Sequence, residues 1–395
     1  MNRKIIHTYW GFVFINALAF SFFFATSQLF LKSQGMNLLQ INIIGFVFVA
    51  AAFILEIPTG SFADTCGRGR SVATGCFIIA AAFLIYFFAT SFWMFILAEI
   101  IGALGITFIS GALDAWMVDA LKHHHYTGKL EKIYADEGFF RLLGLIIGSL
   151  SGAYLGETDL SLPWLCSAIG LTLSGFYALL KMRDYHFTPQ KPSFSFNWRP
   201  LKENAKSSIQ YGIKHRSVFY IVIFGAVLAW SLEGVNKQWA LTFTDYGLSV
   251  SSLGLMFNGV SLAIFLGGRL AILAVRCIKQ EKRCLILTQV VTGVGLLLAG
   301  IMFNLELTMI GFYVHEVGRG LFRPLKSAYL NRRLKSQTRA TVLSFDSMIG
   351  QLGSGLGLLT SGVIAEFFSI SLSWIISGTM ILIAIPIFLK LKNGD

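Results

Sequence analysis

The stretch GSFADTCGRGR occupies residues 60–70 and joins two long apolar segments. The carboxylate of Asp64 is suited to accept hydrogen bonds from a neighbouring helix N-terminus, where the helix dipole favours an anion. Gly67 permits a tight turn. Arg68 and Arg70 are suited to anchor that turn at an anionic membrane surface. The stretch therefore predicts a short connection between two helices at the edge of a membrane.

The composition points to lipid as the solvent of this chain. Of its 395 residues, 55% are apolar and only 13% are Asp, Glu, Lys or Arg, whereas soluble domains carry about 25% charged residues. A helix that spans a bilayer needs about 20 mostly apolar residues. About twelve such helices with their loops would fill the chain, which leaves no room for a separate soluble domain.

Apolar segments between polar breaks predict twelve membrane-spanning helices, because lipid offers the backbone no partner but the chain itself. They lie at roughly 5–31, 39–64, 71–90, 92–121, 135–156, 160–181, 217–244, 250–276, 283–304, 307–331, 339–366 and 371–389.

The basic residues predict the orientation. If the N-terminus is cytosolic, 25 of the 32 Lys and Arg residues fall in cytosolic segments, six lie in or at the ends of spans, and Lys32 alone lies in an outer loop. This asymmetry predicts that both termini face the cytosol. It also explains the net charge of +12 without a nucleic-acid partner.

The longest polar stretch divides the spans into two sets of six. We predict an N-terminal bundle over residues 1–182, a cytoplasmic linker over 183–216 and a C-terminal bundle over 217–395. The linker contains three prolines and an amphipathic piece over 201–214, which predicts a surface helix.

The two halves repeat each other at an offset of 209 residues. Span 5 contains Gly144, Gly148, Gly152 and Glu157. Their counterparts in span 11 are Gly353, Gly357, Ser361 and Glu366. Small residues four apart allow helix backbones to approach closely. The repeat favours a duplicated bundle around a central cavity, the architecture of alternating-access carriers.

The stretch at residues 60–70, which begins with Gly60, resembles the signature of the major facilitator superfamily between helices 2 and 3. The resemblance implies the fold of that family, two pseudo-symmetric bundles of six helices each. It also implies that Gly60, Asp64, Gly67, Arg68 and Arg70 latch the two halves together, although Thr65 replaces the usual arginine. Residues 144–153 are similar to the antiporter motif of drug–proton exporters, with Ser149 in place of the usual proline.

Several ionisable residues lie inside predicted spans, where each needs a partner or a function. Burial raises the pKa of a carboxyl from about 4 toward neutrality, so that it can load and release protons. The candidates for proton coupling are Glu56, Asp114, Glu233 and Glu316. A structural alternative is ion pairing, which sequence spacing suggests for Asp114 with Arg141, Glu233 with Lys237 and Glu316 with Arg319.

Spans 1, 4, 7 and 10 line the cavity in the family that the chain resembles. The candidates for substrate contact are polar, basic or aromatic residues of the predicted spans, namely Asn16, Phe20, Arg141, Trp230, Asn236 and Arg319. The aromatic residues suit an apolar ligand, and the two arginines suit an anionic group.

We expect a monomeric secondary transporter of the bacterial inner membrane that exchanges protons for a small molecule and exports an amphipathic or apolar compound. Uptake of a small anionic metabolite by proton symport, and export of an endogenous metabolite such as a siderophore, stay open as alternatives. We expect neither an enzyme nor a cofactor, because the sequence lacks a phosphate-binding loop and the common hydrolase motifs. The five cysteines and the His123–His125 run do not form a metal-binding pattern.

Overall fold

The computed structural model of the chain describes residues 1–185, 209–210, 215–333 and 336–391. These residues form fifteen helices and no strand. The helices are α1 (Asn2–Ser21), α2 (Ser27–Ser33), α3 (Leu38–Cys66), α4 (Arg68–Phe88), α5 (Phe92–Ile109), α6 (Ala112–His123), α7 (Leu130–Thr158), α8 (Leu162–Lys181), α9 (Arg216–Asp245), α10 (Val250–Ile278), α11 (Glu281–Ile301), α12 (Leu305–Arg333), α13 (Ser336–Phe367), α14 (Ile370–Ile383) and α15 (Pro386–Leu389).

Each predicted span coincides with one long helix or with two consecutive helices, which confirms the prediction of twelve. The first span is broken between α1 and α2, and the last is broken before Pro386. The fourth span is broken between α5 and α6, where Gly111 has a φ of 71°, a conformation that glycine adopts at little cost. The predicted amphipathic helix at 201–214 and most of the 183–216 linker lie outside the described residues.

Ten of the described segments are long and apolar enough to cross a membrane. The two spans below that criterion are the broken first span and α12. Exposed aromatic residues stand at helix ends, with Trp93, Tyr154 and Phe303 each at least 74% exposed. Such residues suit the interface between lipid and water.

The chain packs as two compact units. As far as its residues are described, the first comprises Met1–Met36, Val47–Phe196 and Gly247–Asn258. The second comprises Asn37–Phe46, Asn197–Tyr246 and Gly259–Asp395. The first residues of α3 thus pack within the second unit, and the first residues of α10 pack within the first.

The helices of each unit pair in the same pattern. In the first unit α1 packs on α7 and α8, and α4 packs on α5 and α8. In the second unit α9 packs on α13 and α14, and α11 packs on α12 and α14. This correspondence accounts for the repeat that the sequence indicates.

The glycine repeats lie where the closest pairs of helices meet. Gly144, Gly148 and Gly152 of α7 lie against the backbone of α1, and a Cβ atom at Gly144 would be 2.6 Å from a carbonyl oxygen of α1. Gly353 and Gly357 of α13 lie in the same way against the backbone of α9. Larger side chains at these positions would force the helices apart.

Candidate functional site

A cluster of polar side chains lies on the inner face of α12 in the second unit. His315 is fully buried and Glu316 is 3% exposed. Arg319 Nη1 lies 3.5 Å from Glu316 Oε1 and donates a hydrogen bond of 2.9 Å to Asn236 Oδ1 of α9. The predicted pairing of Glu316 with Arg319 is therefore confirmed, and the structure brings both together with the candidate Asn236.

His315 was missing from the sequence prediction. Its Nε2 lies 3.4 Å from Glu316 Oε1, and its ring packs on Phe312 with the centroids 5.1 Å apart. The signal available in the sequence was a histidine next to a glutamate within a long span. The prediction rested on residues that are charged at pH 7, and a histidine with its ordinary pKa near 6.5 is mostly neutral at that pH.

The cluster has hydrogen-bonding capacity that the described residues do not use. Both ring nitrogens of His315 and the Oε2 atom of Glu316 have no hydrogen-bond partner in this part of the chain. An unsatisfied buried polar group costs about 1–3 kcal/mol, and more when it is charged. A group held at such a cost, deep in a membrane helix, is a candidate for a functional role.

The neighbouring helix α11 carries buried polar side chains of its own. Thr288, Gln289 and Thr292 of α11 are all fully buried, and α11 packs along α12. Gly295 brings the two backbones close, since a Cβ atom there would lie 2.5 Å from the backbone nitrogen of His315. The Thr288 and Thr292 hydroxyls donate to backbone oxygens of their own helix, and Gln289 Nε2 donates to the Thr288 hydroxyl.

Asp114 and Arg141 do not pair with each other, so that suggested ion pair is wrong. Arg141 Nη2 lies 2.5 Å from Glu137 Oε1, one turn earlier on the same helix. Asp114 accepts a hydrogen bond of 2.7 Å from the Tyr9 hydroxyl. A partner four residues away on one helix needs no particular tertiary register, and for this reason Glu137 takes the place of Asp114.

The suggested pair of Glu233 with Lys237 is also wrong among the described residues, where no ion pair joins them. Lys237 points toward α3, and a Cβ atom at Gly45 would lie 2.8 Å from its Cε atom. Glu233 is half-buried and Glu56 is exposed. Neither carboxylate has the burial of Glu316.

The remaining candidates for substrate contact lie in both units. In the first unit, Asn16 Nδ2 is 3.9 Å from Cys76 Sγ and the Phe20 ring packs edge-on against Phe83. In the second unit, Trp230 is half-buried on α9. Their role in binding a substrate stays a prediction.

The predicted latch around residues 60–70 has contacts that the sequence did not indicate. Arg68 forms an ion pair with Asp119 at the end of α6, and the Gly69 amide donates a hydrogen bond of 2.8 Å to Asp184 Oδ1. Gly67 has a φ of 104°, as expected for a tight turn. Arg70 is exposed. The side chains of Gly60 and Asp64 lie outside the described part of the structure.

Comparisons with known proteins agree on one family. The family model described as Major Facilitator Superfamily matches residues 9–276 and 219–394. The chain is 24% identical to the uncharacterized MFS-type transporter YxaM of Bacillus subtilis (strain 168), over 98% of this chain and 96% of that protein. It is 23% identical to the class H tetracycline resistance protein of Pasteurella multocida, over 74% of this chain and 72% of that one.

Solved structures with the same fold include the nucleoside transporter NupG, with a TM-score of 0.79, 14% identity, and coverage of 98% of this chain and 100% of that one. A bacterial homologue of the lysosomal transporter Spinster has a TM-score of 0.73 at 13% identity, with coverage of 98% and 95%. These relatives are transporters and not enzymes. The chain, with its twelve spans in two pseudo-symmetric bundles, belongs to the major facilitator superfamily.

Proposed function

We propose that this transporter exports a small amphipathic or apolar compound in exchange for protons, by alternating access. The observation that carries the proposal is Glu316, a carboxylate 3% exposed in a membrane span beside a fully buried histidine. The direction of transport is supported by relatives named for resistance to tetracycline and to multiple drugs.

The physical argument concerns the charge of the cluster. With His315 neutral, Glu316 and Arg319 balance each other while the carboxylate is ionised. A proton on Glu316 leaves the positive charge of Arg319 without a counterion, so proton binding changes the electrostatic state of the helix. A carrier that moves between two orientations needs a change of this kind to couple its movement to a proton gradient.

Among the four predicted proton sites, Glu316 is favoured by its burial and its unpaired oxygen atom. Asp114 already accepts a hydrogen bond from Tyr9, and Glu56 is exposed. We retain Glu233 as a secondary candidate, because it is half-buried on the helix that carries Asn236.

The test is transport by the purified protein in liposomes with an imposed pH gradient, with tetracycline and a nucleoside as first probes. We expect Glu316→Gln to lose accumulation driven by the gradient and to keep exchange of labelled for unlabelled probe. The matched control is Glu306→Gln, which changes an exposed glutamate in the first turn of the same helix. Full gradient-driven accumulation by Glu316→Gln would refute this proton site.

Uptake of an anionic metabolite by proton symport is the second candidate, and Arg319 favours it. Its side chain is 36% exposed, and a guanidinium has five donors. A proton on Glu316 would make more of Arg319 available to an anion. In the same liposomes, accumulation of substrate on the side that the protons leave indicates antiport. Accumulation on the side that the protons enter indicates symport. Export of an endogenous metabolite predicts that neither first probe is transported.

The cellular setting is also a proposal. The bias of basic residues supports a bacterial inner membrane with both termini in the cytosol. We propose that the protein works as a monomer, with bundles at 1–182 and 217–395 on either side of the linker, and that residues 60–70 act as a latch between them. A reporter fused within 183–216 would appear outside the cell if this orientation were reversed.

A further inference from the structure

Helix α9 has an accessible face that carries two opposite charges. Its half-buried side chains recur three or four residues apart, whereas residues between them are buried, among them Leu232, Val235 and Gln238. This spacing places the half-buried side chains on one face of the helix. The face includes Ile223, Ala226, Trp230, Glu233 and Lys237. A ligand that binds along α9 can therefore reach both charged groups.

The two charges form an open pair. A glutamate four residues before a lysine is the order that favours an ion pair on a helix. Within the part of the chain that the structure describes, however, neither Glu233 nor Lys237 has an ion pair or a hydrogen bond through its charged group. Lys237 lies eight residues before α9 ends at Asp245, so the pair lies inside a span. Because unpaired charges are costly there, an open pair is a candidate for ligand recognition.

Gly45 of α3 explains why the pair stays open. Residues 37–46 of α3 pack in the same unit as α9. A Cβ atom at Gly45 would lie 2.8 Å from Lys237 Cε and 3.2 Å from Lys237 Nζ. The amine thus rests against the backbone of α3, in space that a glycine leaves free. This position directs the lysine side chain toward α3 and away from Glu233.

Other polar side chains of α9 already have partners within this unit. Asn236 Oδ1 accepts a hydrogen bond of 2.9 Å from Arg319, and Arg319 also lies 3.5 Å from Glu316. Gln238 Oε1 accepts a hydrogen bond of 3.0 Å from Trp374 Nε1. These contacts leave the carboxylate and the amine of the open pair as the charged groups of α9 that a ligand can engage.

The arrangement of the charges distinguishes between classes of ligand. An anion at Lys237 would be repelled by Glu233 one turn away, and a cation at Glu233 would be repelled by Lys237. A neutral ligand would cover both charges and pair with neither, which is unfavourable. A zwitterion supplies a partner for each charge through charge-assisted hydrogen bonds. Trp230, one turn before Glu233, offers an aromatic surface to the apolar part of such a ligand.

We propose that Glu233 and Lys237 recognise a zwitterionic amphipathic substrate. Glu233 binds its cationic group, Lys237 binds its anionic group, and Gly45 positions the lysine. The proposal rests on the export function proposed above and narrows the class of compound that is exported. It assigns Glu233 to substrate binding and leaves Glu316 as the proton site.

The test is the binding of four matched probes to the purified protein in detergent at pH 7, measured by isothermal titration calorimetry. The zwitterionic probe is 4-(aminomethyl)benzoic acid, in which a benzene ring separates the two charges. Its methyl ester carries the positive charge alone, its N-acetyl derivative the negative charge alone, and the N-acetyl methyl ester neither. We expect the parent protein to bind the zwitterion about tenfold more tightly than either singly charged probe.

Two variants assign the charges to the two residues. Glu233→Gln should bind the zwitterion and the N-acetyl derivative equally well, because the partner of the ammonium group is gone. Lys237→Met should bind the zwitterion and the methyl ester equally well, because the partner of the carboxylate is gone. The matched controls are Glu306→Gln and Lys390→Gln, which change exposed residues of the same unit. Both controls should keep the preference of the parent.

A third variant keeps both charges and changes only the position of the lysine. The Cβ atom of Gly45→Ala would displace Lys237 from α3 and allow it to pair with Glu233. We expect this variant to lose the preference for the zwitterion. The matched control is Gly350→Ala, because a Cβ atom there meets nothing within 4 Å. If one variant fails to fold, as judged by size-exclusion chromatography, the other two are read with the same expectations.

Four results would overturn the proposal. Equal binding of the zwitterion and a singly charged probe by the parent would reject the zwitterionic class, and so would the absence of binding by all four probes. An unchanged preference in Glu233→Gln or Lys237→Met would reject the recognition site. An unchanged preference in Gly45→Ala would reject the role of Gly45 in holding the pair open.

The binding experiment is independent of the proposed proton site. It uses no pH gradient and leaves Glu316 in place. Loss of gradient-driven accumulation in Glu316→Gln, together with equal binding of all probes by the parent, would support the proton site and reject the zwitterion site. A preference for the zwitterion with full accumulation by Glu316→Gln would do the opposite.

Discussion

Removal of Arg319 should destabilise the protein through the carboxylate that it leaves behind. The perturbation is Arg319→Met, which keeps the length of the apolar stem and removes the guanidinium. Glu316, 3% exposed, then keeps His315 as its remaining charged or ionisable neighbour at 3.4 Å. The Asn236 amide oxygen also loses the donor 2.9 Å away.

The magnitude follows from how deeply each partner is buried. Breaking a fully buried ion pair costs about 3–5 kcal/mol. The Arg319 side chain is 36% exposed, so solvent already screens part of the attraction and the expected cost falls to about 1–3 kcal/mol. The variant Glu316→Gln/Arg319→Met has no buried charge to compensate, so it should be more stable than Arg319→Met alone.

The assay is thermal unfolding in detergent of the parent protein, the two single variants and the double variant, arranged as a double-mutant cycle. We expect the double variant to recover at least half of the loss seen in Arg319→Met. Strict additivity of the two single effects would refute the reasoning, because it would mean that Glu316 and Arg319 do not interact in the folded protein.

Two further predictions concern groups away from this cluster. Trp374→Phe should lower the free energy of unfolding by about 1–3 kcal/mol. The fully buried Trp374 donates a hydrogen bond of 3.0 Å to Gln238 Oε1, and phenylalanine would leave that oxygen unsatisfied. Thermal unfolding measures this effect, and an unchanged midpoint would contradict the prediction. The bond from the Ser161 amide lowers the pKa of the Asp159 carboxyl below its ordinary value of 3.8. Its stabilisation is therefore fully present above that value and is lost as the pH falls through the lower folded-state pKa. The difference in unfolding midpoint between the parent and Asp159→Asn should shrink as the pH falls below 4, and a difference independent of pH would contradict the assignment.

The spans were predictable because one property decides them. A residue in lipid must be apolar or must have a partner within the protein, so hydropathy alone defines most of the helices. The breaks within spans were harder to see. Gly111 lies between α5 and α6 and permits the turn into α6 through its positive φ, but glycine is also common inside unbroken membrane helices.

The pairing of charges was predictable only within a helix. Glu316 and Arg319 are three residues apart and meet as expected, since helical geometry alone brings them to one face. The suggested pair of Asp114 with Arg141 required two helices to place both residues at one depth and on facing sides. Asp114 and Arg141 do not pair, because the span is broken before α6 and Glu137 lies one turn from Arg141. Neither feature follows from apolar periodicity.

The helix that carries the candidate site is one of the two spans that fall short of the hydropathy criterion. Helix α12 contains His315, Glu316 and Arg319 within its central turns, and these residues lower its apolar character. Such a helix is stable in a membrane only if its polar side chains face protein and not lipid. The neighbouring helix α11 also carries buried polar side chains, among them Thr288 and Thr292. A span that is too polar for lipid, and is matched by a polar neighbour, is therefore where we expect proton coupling in a transporter of this fold.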